Sequence, residues 1–151
     1  MYKRILVPLD GSPAAEKGLQ QAIPLAATLG AELRLFHVID LHLIYMDVTG
    51  MGSAAVLGDY EQRLRQLGRD LLQAAREQAE QTGVAADVRM AECYAPQVAE
   101  LIVAEASRWP ADLIVMGTHG RRGLRGLVMG SDAESVLHVS PVPVLLVRSG
   151  Q

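Results

Sequence analysis

Cysteine, aromatic residues and long apolar runs are scarce in this sequence. Its 151 residues include one cysteine, Cys93, and aromatic residues make up 4% of the chain. A lone cysteine excludes an internal disulfide and a zinc site built from cysteine pairs. No apolar run approaches the roughly 18 residues of a membrane-spanning helix, and the apolar start breaks at Asp10 without a cleavage signature. We therefore expect a cytoplasmic protein that does not contact a membrane.

An excess of positive charge is also missing. The 14 Lys and Arg residues are outnumbered by 17 Asp and Glu residues, which gives a formal net charge of −3 at pH 7. Nucleic-acid binding depends on clustered Lys and Arg, so we expect no nucleic-acid partner. The four histidines lack the spacing of a metal site. Half of the residues are hydrophobic, and this predicts one core and a single domain over residues 1–151.

Glycine, in contrast, is concentrated in one stretch that follows a buried apolar run. Glycines let backbone N–H groups approach an anion closely and adopt positive φ angles. The stretch leads to Ser131, the predicted start of a helix, where the first N–H groups also attract anions. The glycines of this stretch are Gly117, Gly120, Gly123, Gly126 and Gly130.

This pattern indicates a phosphate-binding loop. It is neither a P-loop, which ends in Gly-Lys-Ser/Thr, nor the Gly-x-Gly-x-x-Gly fingerprint of dinucleotide-binding proteins. A purely structural alternative also fits, because Ser131 and Glu134 match the capping box Ser-x-x-Glu, which requires no ligand.

The apolar pattern predicts strands and helices in alternation. Ser12 followed by Pro13 predicts a helix start, whereas Pro24 predicts a kink or a break inside that helix. Residues 40–59 show no sustained period, and they are either a flap over the ligand or a partly helical contact with a partner subunit. The predicted strands are 3–9, 32–38, 87–92, 112–116 and 141–147, and the helices are 13–29, 60–81, one from Pro96, and one from 131 or 132 to 138.

This order predicts a Rossmann-like α/β fold. The expected sheet is open, five-stranded and parallel, with strand order 3-2-1-4-5 and helices on both faces. Ligands in such sheets bind at the carboxyl ends of the strands, where the strand order reverses. The turn at residues 10–13 and the loop at residues 117–130 should therefore meet in one crevice.

The two predicted edge strands differ. Residues 87–92 alternate between polar and apolar, as expected of a half-exposed edge. The last strand is apolar and uncharged until Arg148, and exposed apolar edges invite pairing with another chain. We expect a homodimer through the last strand, residues 142–147. Protection of this edge by Pro141 and Pro143 alone is the alternative.

Three segments of the chain share the pattern of a known family. They are Ile-Leu-Val-Pro-Leu-Asp-Gly-Ser at 5–12, Asp-Leu-Ile-Val-Met-Gly-Thr-His-Gly at 112–120, and Gly130-Ser131 followed by Pro-Val-Pro-Val-Leu-Leu-Val at 141–147. Through them the whole chain resembles the universal stress protein family. The spacing Gly117-x2-Gly120-x9-Gly130-Ser131 matches the members of that family that bind ATP.

The resemblance implies an adenine-nucleotide site. Asp10 matches the acid that lies near the ribose and phosphates and helps to hold a divalent cation. Pro8 matches the wall of the adenine pocket, and Val38 matches the position whose backbone reads the adenine edge. The remaining matches are Met116 and Gly117 near the sugar, and Gly120, Gly130, Ser131 and the amide of Asp132 in the triphosphate cradle. Structural alternatives are that Pro8 and Val38 are plain core and that Asp10 only caps the helix after it.

Asp132 departs from the family pattern, which often has a small or apolar residue after Gly-Ser. A carboxylate about 5 Å from a phosphate would cost roughly 1 to 3 kcal/mol, although an acid in the first helical turn is favoured by the helix dipole.

The resemblance predicts a dimeric stress-response regulator or sensor that binds ATP, or ADP or AMP, together with Mg²⁺. We assign no catalytic residue, although the resemblance allows slow hydrolysis or autophosphorylation, for instance on Ser131. The alternatives are a nucleotide-free dimeric scaffold of the same family and a genuine ATPase.

Overall fold

The computed structural model describes residues 1–46, 54–118 and 129–148. Strands and helices alternate along these ranges, as the apolar pattern predicts. In chain order they are β1 (Arg4–Pro8), α1 (Pro13–Leu29), β2 (Glu32–Asp40), α2 (His42–Met46), α3 (Ala54–Gln81), β3 (Ala86–Cys93), α4 (Val98–Arg108), β4 (Leu113–Gly117), α5 (Ser131–Val139) and β5 (Val144–Val147).

The strands of the described ranges form one five-stranded parallel sheet in the order β3-β2-β1-β4-β5. The predicted fold class and strand order are confirmed. Asp112 ties β1 to the start of β4, because its carboxylate accepts the backbone N–H groups of Lys3 at 2.8 Å and Arg4 at 3.1 Å. The strand order reverses between β1 and β4, so a crevice opens at their carboxyl ends.

Helices cover both faces of the sheet, also as predicted. On one face, α1 and α3 pack on a core that includes Ile5, Val7 and Leu35. On the other face, α4 and α5 pack on a core that includes Leu6 and Ile114. Successive residues of β1 thus belong to opposite cores, which explains why the central strands are apolar without alternation.

Helix α1 begins and ends where the sequence predicts. Ser12 is the N-cap, and its side chain accepts the N–H of Ala15 at 3.1 Å. Gly30 ends the helix in the left-handed region at φ 60°. The helix continues through Pro24 without a break. Pro24 and Gln20, whose carbonyl loses its usual donor, are both exposed, so water can satisfy that carbonyl.

The region between β2 and α3 differs most from expectation. Strand β2 extends to Asp40, the short helix α2 follows it, and α3 begins at Ala54 and not at residue 60. Residues 54–59 contain no buried side chain, so they show no apolar period from which a helix could be predicted. Residues 47–53 lie outside the described ranges. The helix predicted from Pro96 begins at Val98.

Helix α3 has an apolar period that predicts an inward face, and its predicted members are Leu64, Leu67, Leu71, Leu72, Ala75 and Ala79. Its buried residues are Gly68, Leu72, Ala75 and Ala79, whereas Leu67 is 58% exposed. Gly68 lets α3 approach the sheet closely, because a Cβ atom there would lie 2.8 Å from both His37 Cδ2 and Met90 Sδ. The assignment of Leu67 to the inward face was wrong, since the helix packs most closely at the neighbouring glycine.

An ion cluster surrounds one buried carboxylate at the amino end of the sheet. Glu105 of α4 is 1% exposed and accepts hydrogen bonds from Arg34 on β2 and from Arg108. Arg34 also pairs with Asp87 on β3, and its guanidinium lies 4.8 Å from the centroid of the Trp109 ring. The cluster therefore connects β2, β3 and α4. None of the helices in the described ranges combines the length and apolar character that a membrane crossing requires.

Candidate functional site

A cleft opens at the carboxyl end of the sheet, where β1 and β4 diverge. Its walls come from β1 and the turn after it, β2, α4, the end of β4 and the start of α5. The lining residues are Pro8, Leu9, Asp10, Ser12, Ala15, Phe36, Val38, Val98, Ile102, Met116, Gly117, Asp132 and Ala133.

Six of the residues matched to the nucleotide site line this cleft. They come from three strands, one turn and the start of α5, and they include the two acids. The six are Pro8, Asp10, Val38, Met116, Gly117 and Asp132. Gly130 and Ser131 stand directly before Asp132 at the start of α5, whereas Gly120 lies outside the described residues, as do His119 and the arginines at 121, 122 and 125.

The floor of the cleft is apolar. Phe36 and Met116 are 2% and 6% exposed, whereas Pro8 and Val38 are half-buried beside them. Val98 and Ile102 of α4 add further apolar surface. A concave apolar wall of this kind suits a flat, uncharged ring, and the polar groups lie at its ends.

The turn after β1 gives Asp10 a defined orientation. Its Oδ1 accepts the N–H of Ser12 at 2.9 Å, and Gly11 between them has φ 80°. The N–H of Leu9 donates to the carbonyl of Phe36 at 2.7 Å, which ties the turn to β2. Ser12 and not Asp10 caps α1, so the alternative in which Asp10 is the helix cap is wrong.

Gly117 at the end of β4 has a packing role that sequence reasoning missed. A Cβ atom on Gly117 would lie 2.3 Å from the carbonyl oxygen of Ala14. In return, a Cβ atom on Gly18 of α1 would lie 3.2 Å from the nitrogen of Gly117. The backbones of α1 and β4 are therefore in direct contact beside the cleft, and glycine is required at 117 whether or not a ligand is bound.

The start of α5 corrects the predicted capping box. Gly130 is the N-cap, and Ser131 already lies inside the helix, so its side chain comes one position too late to cap it. Gly130 makes no side-chain hydrogen bond to this helix start. The first N–H groups of a helix without such a cap carry partial positive charge and attract anions.

Nothing in the sequence indicated that Cys93 and His37 are both buried and hydrogen-bonded near the cleft. Cys93 is buried, its thiol donates to Asp40 Oδ1 at 3.8 Å, and burial, with the Asp40 and Asp132 carboxylates, raises its pKa. It is therefore a poor nucleophile. His37 is buried on β2 with Nδ1 at 2.7 Å from the carbonyl oxygen of Leu9. No cluster of three metal-ligating side chains occurs within the described ranges.

A polar cluster lies at the same end of the sheet, on the edge strand β3. Arg65 of α3 hydrogen-bonds Glu92 and Glu61, and its hydrogen bond lowers the pKa of Glu92. Tyr45 donates to Glu61, which raises the pKa of Tyr45 to about 12. The rings of Tyr45 and Tyr94 meet edge to face with centroids 5.2 Å apart. These contacts fasten α2 and α3 to the edge strand.

The sequence is similar to a known family along nearly its whole length. The pattern of the universal stress protein family matches residues 1–148. Universal stress protein MJ0531 of Methanocaldococcus jannaschii is 33% identical over 148 residues, which cover 98% of this chain and 83% of that protein. Universal stress protein YxiE of Bacillus subtilis is 30% identical over 151 residues, which cover 98% of this chain and 100% of that protein.

Solved structures share the fold. The hypothetical protein MJ0577 has a TM-score of 0.84 and 27% identity, with 100% of this chain and 99% of that one covered. A member of the universal stress protein family from Burkholderia pseudomallei has a TM-score of 0.75 and 35% identity, with 97% and 96% covered. Two universal stress proteins with TM-scores of 0.70 and 0.68, at 22% and 21% identity, were solved in complex with cAMP and dAMP.

Proposed function

Because this chain belongs to the universal stress protein family, we propose that it is a cytoplasmic, dimeric stress-response protein whose cleft binds an adenine nucleotide. ATP with Mg²⁺ is the proposed ligand. The observation that carries the proposal is the convergence of Pro8, Asp10, Val38 and Met116, from three strands and a turn, on one cleft. The cAMP and dAMP bound by two proteins of the same fold support the adenine ring as the ligand's constant part.

In this proposal the apolar floor holds the adenine ring, and Pro8 and Val38 flank it. The phosphates extend toward Gly130 and Ser131, where the start of α5 offers its N–H groups to an anion. Gly120 belongs to the same phosphate site by resemblance. The cleft is thus apolar at one end and offers backbone N–H groups at the other, which suits the two halves of a nucleotide.

Asp10 and Asp132 make a divalent cation part of the proposal. Both carboxylates line the cleft, and each repels phosphate oxygens at short range. Mg²⁺ prefers carboxylate and phosphate oxygens as ligands, so a cation held by Asp10 converts this repulsion into attraction. The nucleotide-free scaffold remains the second candidate, and the Asp132 carboxylate is the observation that favours it.

The binding test is calorimetric titration with ATP, ADP and AMP, each with and without Mg²⁺. We expect Mg²⁺ to strengthen ATP binding most, because ATP carries the most negative charge. A ligand at 100 times its Kd should raise the free energy of unfolding by about 2.7 kcal/mol. Absence of binding by all three nucleotides at millimolar concentration would leave only the scaffold.

A pair of matched variants localises the cation. Asp10→Asn should weaken binding of ATP with Mg²⁺ about tenfold, because it removes one charged ligand. Asp112→Asn makes the same substitution at the opposite end of the sheet, where the carboxylate accepts the N–H groups of Lys3 and Arg4. It should lower the melting temperature and leave nucleotide affinity unchanged. Equal affinities in the two variants would exclude Asp10 from the site.

The proposed dimer uses the edge of β5. This strand is short and apolar, and Leu145 on it is 41% exposed. Leu145→Lys should convert a dimer into a monomer in sedimentation measurements, because a charge at an edge opposes strand pairing. Leu67→Lys is the matched control, since Leu67 is 58% exposed on α3. A monomeric wild-type protein would refute the dimer.

A further inference from the structure

We propose that His37 is a positioning residue for the nucleotide site: it holds the turn that carries Asp10, and α3 on the far face of the sheet holds His37. The inference rests on the proposed nucleotide binding and deepens it. It assigns a role in ligand affinity to a side chain that does not line the cleft.

The first step is the hydrogen bond between His37 and Leu9. His37 is 8% exposed, and its Nδ1 lies 2.7 Å from the carbonyl oxygen of Leu9. A carbonyl oxygen only accepts, so Nδ1 carries the proton and donates it. The N–H of Leu9 donates to the carbonyl of Phe36 at 2.7 Å. Both peptide groups of Leu9 are thus bonded to adjacent residues of β2.

The second step connects Leu9 to the cleft. Asp10 follows Leu9 directly, and its carboxylate is oriented by the N–H of Ser12 at 2.9 Å. Release of the Leu9 carbonyl would free the start of this turn and with it the position of the Asp10 carboxylate. Ligand-binding groups must be held within about 0.5 Å of their working geometry, so even a small displacement lowers affinity.

The third step is the confinement of the imidazole ring. Successive residues of a strand point to opposite faces, so His37 faces α3 whereas Phe36 and Val38 face the cleft. A Cβ atom on Gly68 would lie 2.8 Å from His37 Cδ2 and 3.3 Å from Nε2. The backbone of α3 therefore closes the space behind the ring and fixes its orientation toward Leu9.

The test compares two amide substitutions, His37→Asn and His37→Gln. The asparagine amide nitrogen lies as many bonds from Cα as Nδ1 does, whereas the glutamine nitrogen lies one bond further, like Nε2. Both variants replace the ring by a carboxamide, so their effects on the free energy of unfolding should be similar. In calorimetric titration with ATP and Mg²⁺, His37→Asn should bind like wild type, and His37→Gln should bind about threefold to tenfold more weakly, the effect of one lost hydrogen bond.

A double-mutant cycle with Asp10→Asn distinguishes an effect of His37 on the position of Asp10 from a general loss of rigidity in the fold. If His37 acts through Asp10, then His37→Gln should lower affinity little further once Asp10 is replaced. Gly68→Ala should weaken binding in the same direction, since the added methyl group displaces the ring. Urea unfolding of each variant confirms that the folded protein is titrated.

The outcomes distinguish two failures. If wild type binds and both amide variants bind equally, or if the His37 and Asp10 effects add fully, the positioning role is refuted and nucleotide binding stands. If wild type binds no adenine nucleotide, the proposed function fails and the positioning role falls with it.

Discussion

The amino end of the parallel sheet and the cleft at its carboxyl end use carboxylates in different ways. At the amino end, Glu105 and Asp112 accept hydrogen bonds from residues 71 and 109 positions away in sequence. At the carboxyl end, Asp10 accepts the N–H of Ser12, two positions away. Long-range contacts connect strands and helices to one another, whereas a local contact sets the shape of one turn. The amino-end carboxylates therefore hold the fold together, whereas the Asp10 carboxylate orders one turn at the edge of the cleft.

The largest loss of stability should come from removing the buried carboxylate of the ion cluster at the amino end of the sheet. Glu105→Ala leaves the guanidinium of Arg34, 18% exposed, without its buried partner. Removal of one member of a buried ion pair costs about 3 to 5 kcal/mol when the other charge is left unpaired; Arg34 keeps Asp87, so we expect a cost no larger than the lower end of that range, which urea unfolding would detect. Arg108→Ala is the control, because the Arg108 side chain is 64% exposed, and it should cost much less. Nucleotide affinity of the folded Glu105→Ala protein should equal that of wild type; a loss of affinity would contradict the division between the two ends.

A smaller loss of stability is expected at Gly117, which both packs against α1 and lines the cleft. Gly117→Ala forces a methyl group against the Ala14 carbonyl of α1, and overpacking of this kind costs about 1 to 3 kcal/mol. It should also weaken nucleotide binding, since Gly117 lines the cleft. Gly58→Ala on α3 is the matched control: its Cβ atom would meet nothing within 4 Å, and it should stabilise the helix by about 0.5 to 1 kcal/mol. Equal melting temperatures for the two variants would refute the tight contact.

The smallest change in stability is expected at Glu92, an acid at the carboxyl end of the sheet that lies outside the cleft. Arg65 holds the pKa of Glu92 below its ordinary value of 4.5. A lowered pKa in the folded state stabilises the protein above the unfolded-state pKa, and this contribution is lost as the pH falls through the folded-state pKa. At pH 7, Glu92→Gln should therefore melt about 1 to 2 °C below wild type.

That difference between wild type and Glu92→Gln should close as the pH is lowered below 4.5. Arg65→Gln should reproduce the behaviour, since either substitution removes the pair. A difference that persists unchanged at pH 3 would show that Glu92 stabilises the fold without its charge.

The fold was predictable because its signals are local and repeated. The apolar runs of β1 and β4, the Ser12-Pro13 helix start and the stop at Gly30 each follow from neighbouring residues alone. The predicted order of strands then followed from general rules of α/β topology. The start of α3 was not predictable, because none of residues 54–59 is fully buried and they show no sustained apolar period.

The candidate site was predictable only in part. Resemblance supplied Asp10 and Val38, and topology brought them to one crevice. The second role of Gly117 was hidden, because a glycine that contacts Ala14 looks in sequence like one that contacts a ligand. The burial of Glu105 could not be predicted from its neighbours in sequence, since its partner Arg34 is 71 positions away. The roles of Gly117 and Glu105 depend on residues that are close in space but distant in sequence, and the apolar period of the sequence does not reveal such contacts.

The central position of β1 has a consequence for the newly synthesised chain. Its pairing with β2 needs only the first forty residues, but its pairing with β4 and the contact of Lys3 with Asp112 need a segment that is translated far later. Contacts between remote segments form late in folding, since closing a long loop is entropically unfavourable. During translation, one edge of β1 therefore stays unpaired until β4 has been synthesised. The cleft can form only after the last quarter of the chain, which supplies β4 and α5, has been synthesised.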